Sequence, residues 1–120
     1  MSGPTVLVVE DEILIRLDIV DALCHAGFQV IEAGCVAEAV AILETVPAIG
    51  AVFTDVDMPG KEDGLDLAHK VHTQWSPVAI LVTSGHRRVQ AGDLPGEGQF
   101  LPKPYLPAQV IANLNQMLCP

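Results

Sequence analysis

Short runs of consecutive apolar residues alternate along this chain with longer segments in which apolar residues recur every three or four positions. Continuous apolar runs are typical of strands that are buried on both faces of a parallel sheet. The sequence predicts five such strands, at residues 5–9, 29–33, 51–54, 78–83 and 99–101.

Helices are predicted between these strands from the 3.6-residue spacing of apolar side chains. The first covers residues 13–26 and ends before Gly27. Three more are predicted at residues 36–45, 65–75 and 107–118, the last with a proline at its first position. Between strands 4 and 5, four glycines and a proline leave room for a short fourth helix of one or two turns, at about residues 86–91.

Five repeats of strand and helix predict an α/β fold. Right-handed crossovers and the length favour an open, doubly wound sheet over a barrel, which needs about twice as many residues. The common flavodoxin-like strand order is 2-1-3-4-5, with a ligand crevice at the carboxyl ends of strands 1 and 3. With 120 residues, half of them hydrophobic, the chain is expected to form one domain over residues 1–120.

Composition narrows the classes of partner. The net charge of −9 and only six lysine and arginine residues disfavour binding to nucleic acid. No apolar segment is long enough to cross a membrane, and no signal peptide is recognisable. Three cysteines without close pairing are expected to be reduced thiols, which favours a cytoplasmic location.

Polar residues stand at the predicted ends of four strands. The stretch FTDVDMPG on its own is ordinary turn chemistry. However, the carboxyl ends of parallel strands meet at one edge of the sheet, so polar residues from four strands are expected to converge at that edge: Glu10-Asp11-Glu12, Thr54-Asp55, Thr83-Ser84 and Lys103-Pro104. Two carboxylates about 5 Å apart repel by about 3 kcal/mol at an effective dielectric near 20. Lys103 supplies one positive charge. Mg²⁺ can supply the rest of the positive charge that the carboxylates need, because it binds through few carboxylates and retains exchangeable waters.

This ordered set of motifs resembles the receiver domain of two-component response regulators. The motifs are VVEDE at 8–12, TDVDMPG at 54–60, DGLDLA at 63–68, VTSG at 82–85 and PKPY at 102–105. The resemblance covers the whole chain and looks most like stand-alone receivers, although an excised domain would look the same. Because the last predicted helix lies just before Pro120, no output domain is expected within the chain.

The resemblance implies a role for each acid in the crevice. Asp55 would be the phospho-acceptor, taking a phosphoryl group from a sensor histidine kinase or a histidine phosphotransfer protein. Asp11 would bind Mg²⁺ directly, and Glu10 directly or through water. The backbone carbonyl of Asp57 would complete the protein ligands. The implied chemistry is self-phosphotransfer and autodephosphorylation, not enzymatic turnover of a substrate.

The resemblance also implies how a phosphoryl group would be read. Lys103 would pair with its oxygens, and Thr83, with Ser84 beside it, would supply a hydroxyl. Phe100 matches the aromatic residue that turns inward on activation, and the Lys103–Pro104 peptide bond is expected to be cis. The output would be a conformational switch recognised by a downstream protein target. The short fourth helix suggests that the switch centres on the fifth strand and the last helix, with the loop at 84–98 moving alongside.

Several features depart from the family pattern or leave alternatives open. The loop MPGKEDG is one residue longer than usual, and Asp57 is an additional acid beside Asp55. The first helix carries more apolar residues than one buried face needs, so it is either deeply packed or a docking face. DVD at 55–57 also resembles the nucleophile motif of haloacid-dehalogenase-type phosphatases, but Asp55 is on the third strand, not the first. A phosphate sink without output, or a degenerate receiver that only binds, are further alternatives.

Overall fold

The structure, a computed structural model, describes residues 3–85 and 89–118. Its strands are Thr5–Val9 (β1), Gln29–Ala33 (β2), Ile49–Asp55 (β3), Ala79–Ser84 (β4) and Gln99–Pro102 (β5). Its α-helices in this part of the chain are Ile13–His25 (α1), Val36–Thr45 (α2), Gly64–Gln74 (α3) and Pro107–Leu118 (α4).

All strand pairs are parallel, and the sheet order is β2-β1-β3-β4-β5, which confirms the predicted topology. The register brings the carboxyl ends of the central strands level with each other. Val9 pairs with Thr54, and Asp55, the last residue of β3, pairs with Thr83. Residues that follow β1, β3 and β4 therefore leave the sheet at one edge, as the doubly wound topology requires.

Helices cover both faces of the sheet. Successive strand residues point to opposite faces, so β1 contributes to two separate hydrophobic clusters. The first cluster lies under α2 and α3 and includes Leu7, Val9, Val36, Leu43, Leu67 and Val71. The second lies under α1 and α4 and includes Val6, Val8, Ile19, Leu23, Val110 and Leu114.

The connection between β4 and β5 differs from the predicted short α-helix. Its described residues contain only a 3₁₀ turn, Ala91–Asp93, while positions 86–88 of the predicted segment lie outside the described residues. Val89 and Leu94 are buried against the first cluster. Four glycines and a proline in this stretch make a longer helix unfavourable, and two apolar anchors take its place on the sheet.

Smaller differences concern boundaries and cysteines. β3 begins two residues earlier than predicted and extends through Asp55, which places that carboxylate on the strand itself. The peptide bonds before Pro77 and Pro104 are cis, the second as the sequence resemblance implied. Cys24 and Cys35 are free thiols. No helix in the described part of the chain is both long and apolar enough to cross a membrane.

Candidate functional site

Glu10 follows β1 and is almost fully buried at the carboxyl edge of the sheet. Its backbone amide continues the β1–β2 ladder by donating to the carbonyl of Ala33 at 3.0 Å. One carboxylate oxygen accepts a hydrogen bond from the backbone amide of Glu12 at 3.1 Å, and the other lies 3.2 Å from Nζ of Lys103. Glu10 is therefore held at both its backbone and its side chain.

Asp55 ends β3 and is also buried, with 5% of its surface exposed. Its Oδ2 accepts a hydrogen bond from Nζ of Lys103 at 2.8 Å. Its Oδ1 accepts from the backbone amide of Asp57 at 3.1 Å. Each oxygen thus has a different donor, and together these two donors fix the orientation of the carboxylate plane.

Three carboxylates meet beside Lys103, and we call this group the acidic crevice: Glu10, Asp11 and Asp55. One oxygen from each lies within 4.8 Å of the others. Asp11 is exposed, whereas its two partners are buried. The donors are all hard oxygens at distances that a single ion can bridge, so the residues fit a divalent cation such as Mg²⁺ better than a softer metal.

The pKa values in the crevice follow from burial and charge. Burial raises the pKa of the Glu10 carboxyl, and the Asp55 charge raises it further, against the opposing hydrogen bond from Glu12 and the Lys103 charge. Burial lowers the pKa of the Lys103 ammonium, but the hydrogen bond to Asp55 and the charges of Glu10 and Asp55 outweigh it, so this pKa lies above its ordinary value. The folded protein therefore favours a proton or a cation at this edge.

Thr83 lies beside Asp55 on the neighbouring strand and is buried. Its Oγ1 has no hydrogen-bond partner within the described residues. Its carbonyl accepts from the backbone amide of Val56 at 2.9 Å, and the next residue, Ser84, accepts from the amide of Lys103 at 3.1 Å. The backbone around Thr83 is thus fixed while its hydroxyl remains available to an oxygen acceptor.

The loop after β3, residues 56–63, contains the additional residue that the sequence showed. Asp57 turns its side chain toward β4, where Oγ of Ser84 donates to its Oδ2 at 2.9 Å. At the far end, the amide of Gly64 donates to the carbonyl of Val56 at 3.0 Å. A Cβ on Gly64 would overlap the carbonyl oxygen of Asp55. The longer loop is therefore closed tightly against β3.

Two aromatic residues flank Lys103. Phe100 on β5 is half-buried, packs against the first hydrophobic cluster and pairs with Val82. Tyr105 contacts Phe53 edge-on, with ring centroids 5.5 Å apart. Burial, with the Glu10 charge, raises the pKa of Tyr105 to about 12. Phe100 thus lies on the strand that neighbours Thr83.

Four large apolar side chains are exposed on α1 and on the loop that follows β5: Ile13, Leu14, Leu17 and Leu106. A cavity of about 430 Å³ lies between these two elements and is lined by Ile15, Asp18, Gly85, Lys103, Pro104 and Tyr105. Only Ile19 and Leu23 of this helix are buried, so α1 is not deeply packed, and the docking face stays a prediction.

Arg16 is a residue that the sequence analysis missed. Its Nη1 donates to the carbonyl of Glu10 at 2.9 Å, and its Nε donates to Oε1 of Glu32 at 3.1 Å. It is the only arginine or lysine in α1, which was the available signal. One partner follows β1 and the other is on β2, however, so the pairing requires the three-dimensional register.

The structure brings together most residues that the sequence assigned to the site. Glu10, Asp11, Asp55 and Lys103 form the crevice, and Thr83 stands beside it. Ser84 contacts the loop after β3 through Asp57, whereas Phe100 lies one strand further away. The roles of these residues, including that of the Asp57 carbonyl, stay predictions at this point.

Comparison with known proteins identifies the family to which the sequence is similar. The family model for the response regulator receiver domain matches residues 6–115. The sensor kinase CckA of Brucella abortus is 34% identical over 123 residues, covering 98% of this chain and 13% of that protein. PetR of Rhodobacter capsulatus is 32% identical, covering 98% of this chain and 49% of that protein. The chain thus spans half or less of the length of these two relatives.

Solved structures agree. A response regulator receiver protein from Sinorhizobium medicae superposes with a TM-score of 0.89 at 29% identity, covering 97% of this chain and 94% of that one. The receiver domain of the hybrid histidine kinase CckA superposes with a TM-score of 0.82 at 30% identity, covering 95% and 98% of the two chains. The cytoplasmic location and the single-domain extent of 1–120 stay predictions.

Proposed function

Because the chain belongs to the response regulator receiver domains of two-component systems, we propose that Asp55 accepts a phosphoryl group from a phosphohistidine. The donor would be a sensor histidine kinase or a histidine phosphotransfer protein. An oxygen of Asp55 attacks phosphorus, the nitrogen–phosphorus bond breaks, and its electron pair returns to the imidazole. The observation that carries this proposal is the buried Asp55 carboxylate, held by Lys103 beside two further carboxylates.

The geometry suits phosphoryl transfer, which depends on positioning and charge neutralisation. The Asp57 amide and Lys103 fix the Asp55 oxygens, so the nucleophile is oriented before a donor arrives. Lys103 is paired with both Glu10 and Asp55, where its ammonium can also pair with an oxygen of a phosphoryl group on Asp55. The product, an acyl phosphate, is labile, which suits a reversible signal. We assign the protein no turnover of a separate substrate.

Mg²⁺ is the cofactor that we propose, and Glu10, Asp11 and Asp55 would hold it. The three hard carboxylate donors within 4.8 Å of each other support this assignment. Burial, and after it the charge of Asp55, raises the pKa of Glu10, so a bound cation would stabilise the charged form of this carboxylate. When bound, the ion would neutralise charge on the transferred phosphoryl oxygens. Following the family pattern, the Asp57 carbonyl would be a further ligand.

The read-out that we propose begins at Thr83. Its buried hydroxyl lacks a partner within the described residues, so a phosphoryl oxygen on Asp55 would satisfy it. Phe100 lies on the next strand and would respond to the change. The result is a population shift between two conformations, recognised by a downstream protein. A net charge of −9 makes a nucleic-acid target unfavourable.

The phosphodonor would dock on the exposed apolar face of α1. Leu14 and Leu17 are more than half exposed there, and Leu106 is exposed on the loop that follows β5. A cavity lined by Ile15 and Asp18 of the same helix also reaches Lys103, so a partner that covers this part of the surface would bring its phosphohistidine to the crevice.

Intact-mass analysis after incubation with acetyl phosphate and Mg²⁺ tests the acceptor. The parent protein should gain one phosphoryl group, and Asp55→Asn should gain none. Asp21→Asn, which changes an exposed carboxylate on α1, is the matched control and should react like the parent. An adduct that persists in Asp55→Asn contradicts the assignment.

Two further measurements separate the alternatives. Multiple turnovers of a phosphate monoester would indicate a phosphatase instead of a receiver. Amide hydrogen exchange with and without beryllofluoride tests the read-out. Changes in residues 89–106 support a switch, whereas changes confined to the loops around Glu10 and Asp55 indicate a phosphate sink.

A further inference from the structure

We infer that Arg16 is a positioning residue for the metal ligands: it fixes the Glu10–Asp11 peptide so that both carboxylates face the acidic crevice. The inference rests on the proposed function, because it concerns the same Mg²⁺ site. Arg16 is on α1 and makes two directed hydrogen bonds, one to the backbone that carries the ligands and one to Glu32 of β2.

The first step of the argument is the backbone between the two ligands. The amide of Glu10 is held by the carbonyl of Ala33, and the carbonyl of Glu10 is held by Nη1 of Arg16 at 2.9 Å. The carbonyl of Glu10 and the amide of Asp11 belong to one planar peptide unit. Arg16 therefore sets the rotation of this plane, and with it the direction in which the Asp11 side chain leaves the backbone.

The second step concerns Asp11 itself. Its carboxylate is exposed, in contrast to the buried carboxylates of Glu10 and Asp55. An exposed side chain gains little from packing, so its placement depends on the backbone to which it is attached. Groups behind metal ligands that orient them in this way typically change metal affinity by about 10–100-fold when they are removed.

The third step separates positioning from charge. The guanidinium of Arg16 is paired with Glu32, with Nε and Oε1 3.1 Å apart, so its charge is largely balanced. If charge dominated, removal of a cation near three carboxylates would strengthen Mg²⁺ binding. If positioning dominates, the same removal weakens binding. The two mechanisms predict opposite signs, which makes the experiment decisive.

Gly34 offers a way to disturb Arg16 without removing its charge. A Cβ on this residue would lie 3.0 Å from Nη1 of Arg16, which is closer than most real contacts. Gly34→Ala therefore displaces the guanidinium while the net charge stays constant. It should weaken Mg²⁺ binding in the same direction as loss of Arg16, but by less.

The test compares Mg²⁺ dissociation constants, measured by calorimetry and by competition with Mn²⁺ in electron paramagnetic resonance. We expect Arg16→Met to weaken binding about tenfold and Arg16→Lys to restore part of the loss. Lys70→Met is the matched control: it removes a half-exposed ion pair with Glu62, formed away from the crevice. It should bind Mg²⁺ like the parent, and metal-free melting curves should show that all variants fold.

An Arg16→Met protein that binds Mg²⁺ as tightly as the parent, or more tightly, overturns the inference. Should that variant not fold, unchanged binding by Gly34→Ala overturns it instead, and weakened binding supports it. A parent protein that binds neither ion refutes the proposed cofactor. The exchange rate of the Asp11 amide then decides the positioning role: faster exchange in Arg16→Met than in Lys70→Met supports it, and equal exchange overturns it.

Discussion

Two connections leave the same edge of the sheet and are built in opposite ways. The loop after β3, residues 56–63, is closed by directed bonds. Asp63 caps α3 by accepting from the amides of Leu65 and Asp66, both at 3.0 Å, and the Asp66 side chain accepts from the Asp63 amide in return. Gly64 bonds back to the start of the loop. This connection carries the backbone beside Asp55, the phospho-acceptor that we propose.

The connection between β4 and β5 is held by fewer and more local bonds in its described part. Asp93 accepts from the amide of Gln90 at 2.9 Å and donates its own amide back to the Gln90 carbonyl at 2.9 Å. Leu94 supplies a buried anchor. This connection follows Thr83 and Ser84, the residues that we propose as readers.

The difference indicates which connection has a fixed conformation and which can change its conformation. The proposed transfer needs fixed geometry at the nucleophile, which the directed bonds of the loop after β3 supply. The proposed switch needs an element that is held less firmly, and the β4–β5 connection has fewer directed bonds in the residues that the structure describes. The following predictions test this contrast, from the largest expected effect to the smallest.

A pair of glycine substitutions tests the contrast directly. Gly64→Ala should lower the free energy of unfolding by about 2–3 kcal/mol, because its Cβ would overlap the Asp55 carbonyl. Gly92→Ala, in the 3₁₀ turn, meets no atom within 4 Å and should change stability by less than about 0.5 kcal/mol. Urea denaturation measures both. Equal losses would show that the two connections are equally constrained.

Addition of Mg²⁺ tests the site around Asp55 next. Mg²⁺ at tenfold excess over its Kd should stabilise the parent by about 1.4 kcal/mol. Asp11→Asn should melt at a higher temperature than the parent without metal, because carboxylate repulsion is relieved, and should lose the response to Mg²⁺. Thermal denaturation with and without the ion measures this. Equal shifts in both proteins would place the ion elsewhere.

The two buried threonines give a prediction of opposite signs. Thr83→Val should raise the free energy of unfolding by about 1 kcal/mol, because it replaces an unpartnered buried hydroxyl with a methyl group. Thr54→Val should lower it by about 1 kcal/mol, because the Thr54 hydroxyl donates to the Asp55 carbonyl at 2.9 Å. Thr83→Val should also lose the beryllofluoride response in residues 89–98. A retained response would move the read-out away from Thr83.

The smallest effect is spectroscopic. Tyr105 is the only tyrosine in the chain, so phenolate absorbance should report its pKa of about 12. Burial and the Glu10 charge favour the neutral phenol in the folded state. The stability that this provides is present below the unfolded pKa of about 10 and is lost as pH rises through about 12. Glu10→Gln should lower the value; titration near 10 in a protein that circular dichroism shows to be folded contradicts it.

Much of the architecture could be predicted because apolar periodicity is local. β2 and α2 have the bounds that the pattern predicted, and strand order followed from the topology rules of α/β sheets. The crevice followed as well, since parallel strands must present Glu10, Asp55 and Lys103 at one edge. These inferences need only the order of elements.

The remainder depends on packing between distant segments. The course of residues 89–94 could not be predicted, because buried Val89 and Leu94 anchor the chain without helical repetition. The role of Arg16 requires the register of α1 on β2, which no local pattern contains. Whether Asp57 would turn toward Ser84 was likewise open, because loop conformation depends on contacts across the sheet edge.

The hydrogen bonds that continue beyond the strand ends have a consequence for how long the proposed signal would last. The amide of Val56 donates to the Thr83 carbonyl, and the amide of Lys103 donates to the Ser84 carbonyl, so the main-chain segments at the carboxyl ends of β3, β4 and β5 are tied to one another. On the proposed read-out, the Thr83 side chain would therefore rotate toward a phosphoryl group on Asp55 while this backbone stays in place, and such a local rotation is faster than the collective motions of a conformational switch. The proposed signal would then last as long as the acyl phosphate on Asp55, which is removed by hydrolysis or by transfer to another acceptor.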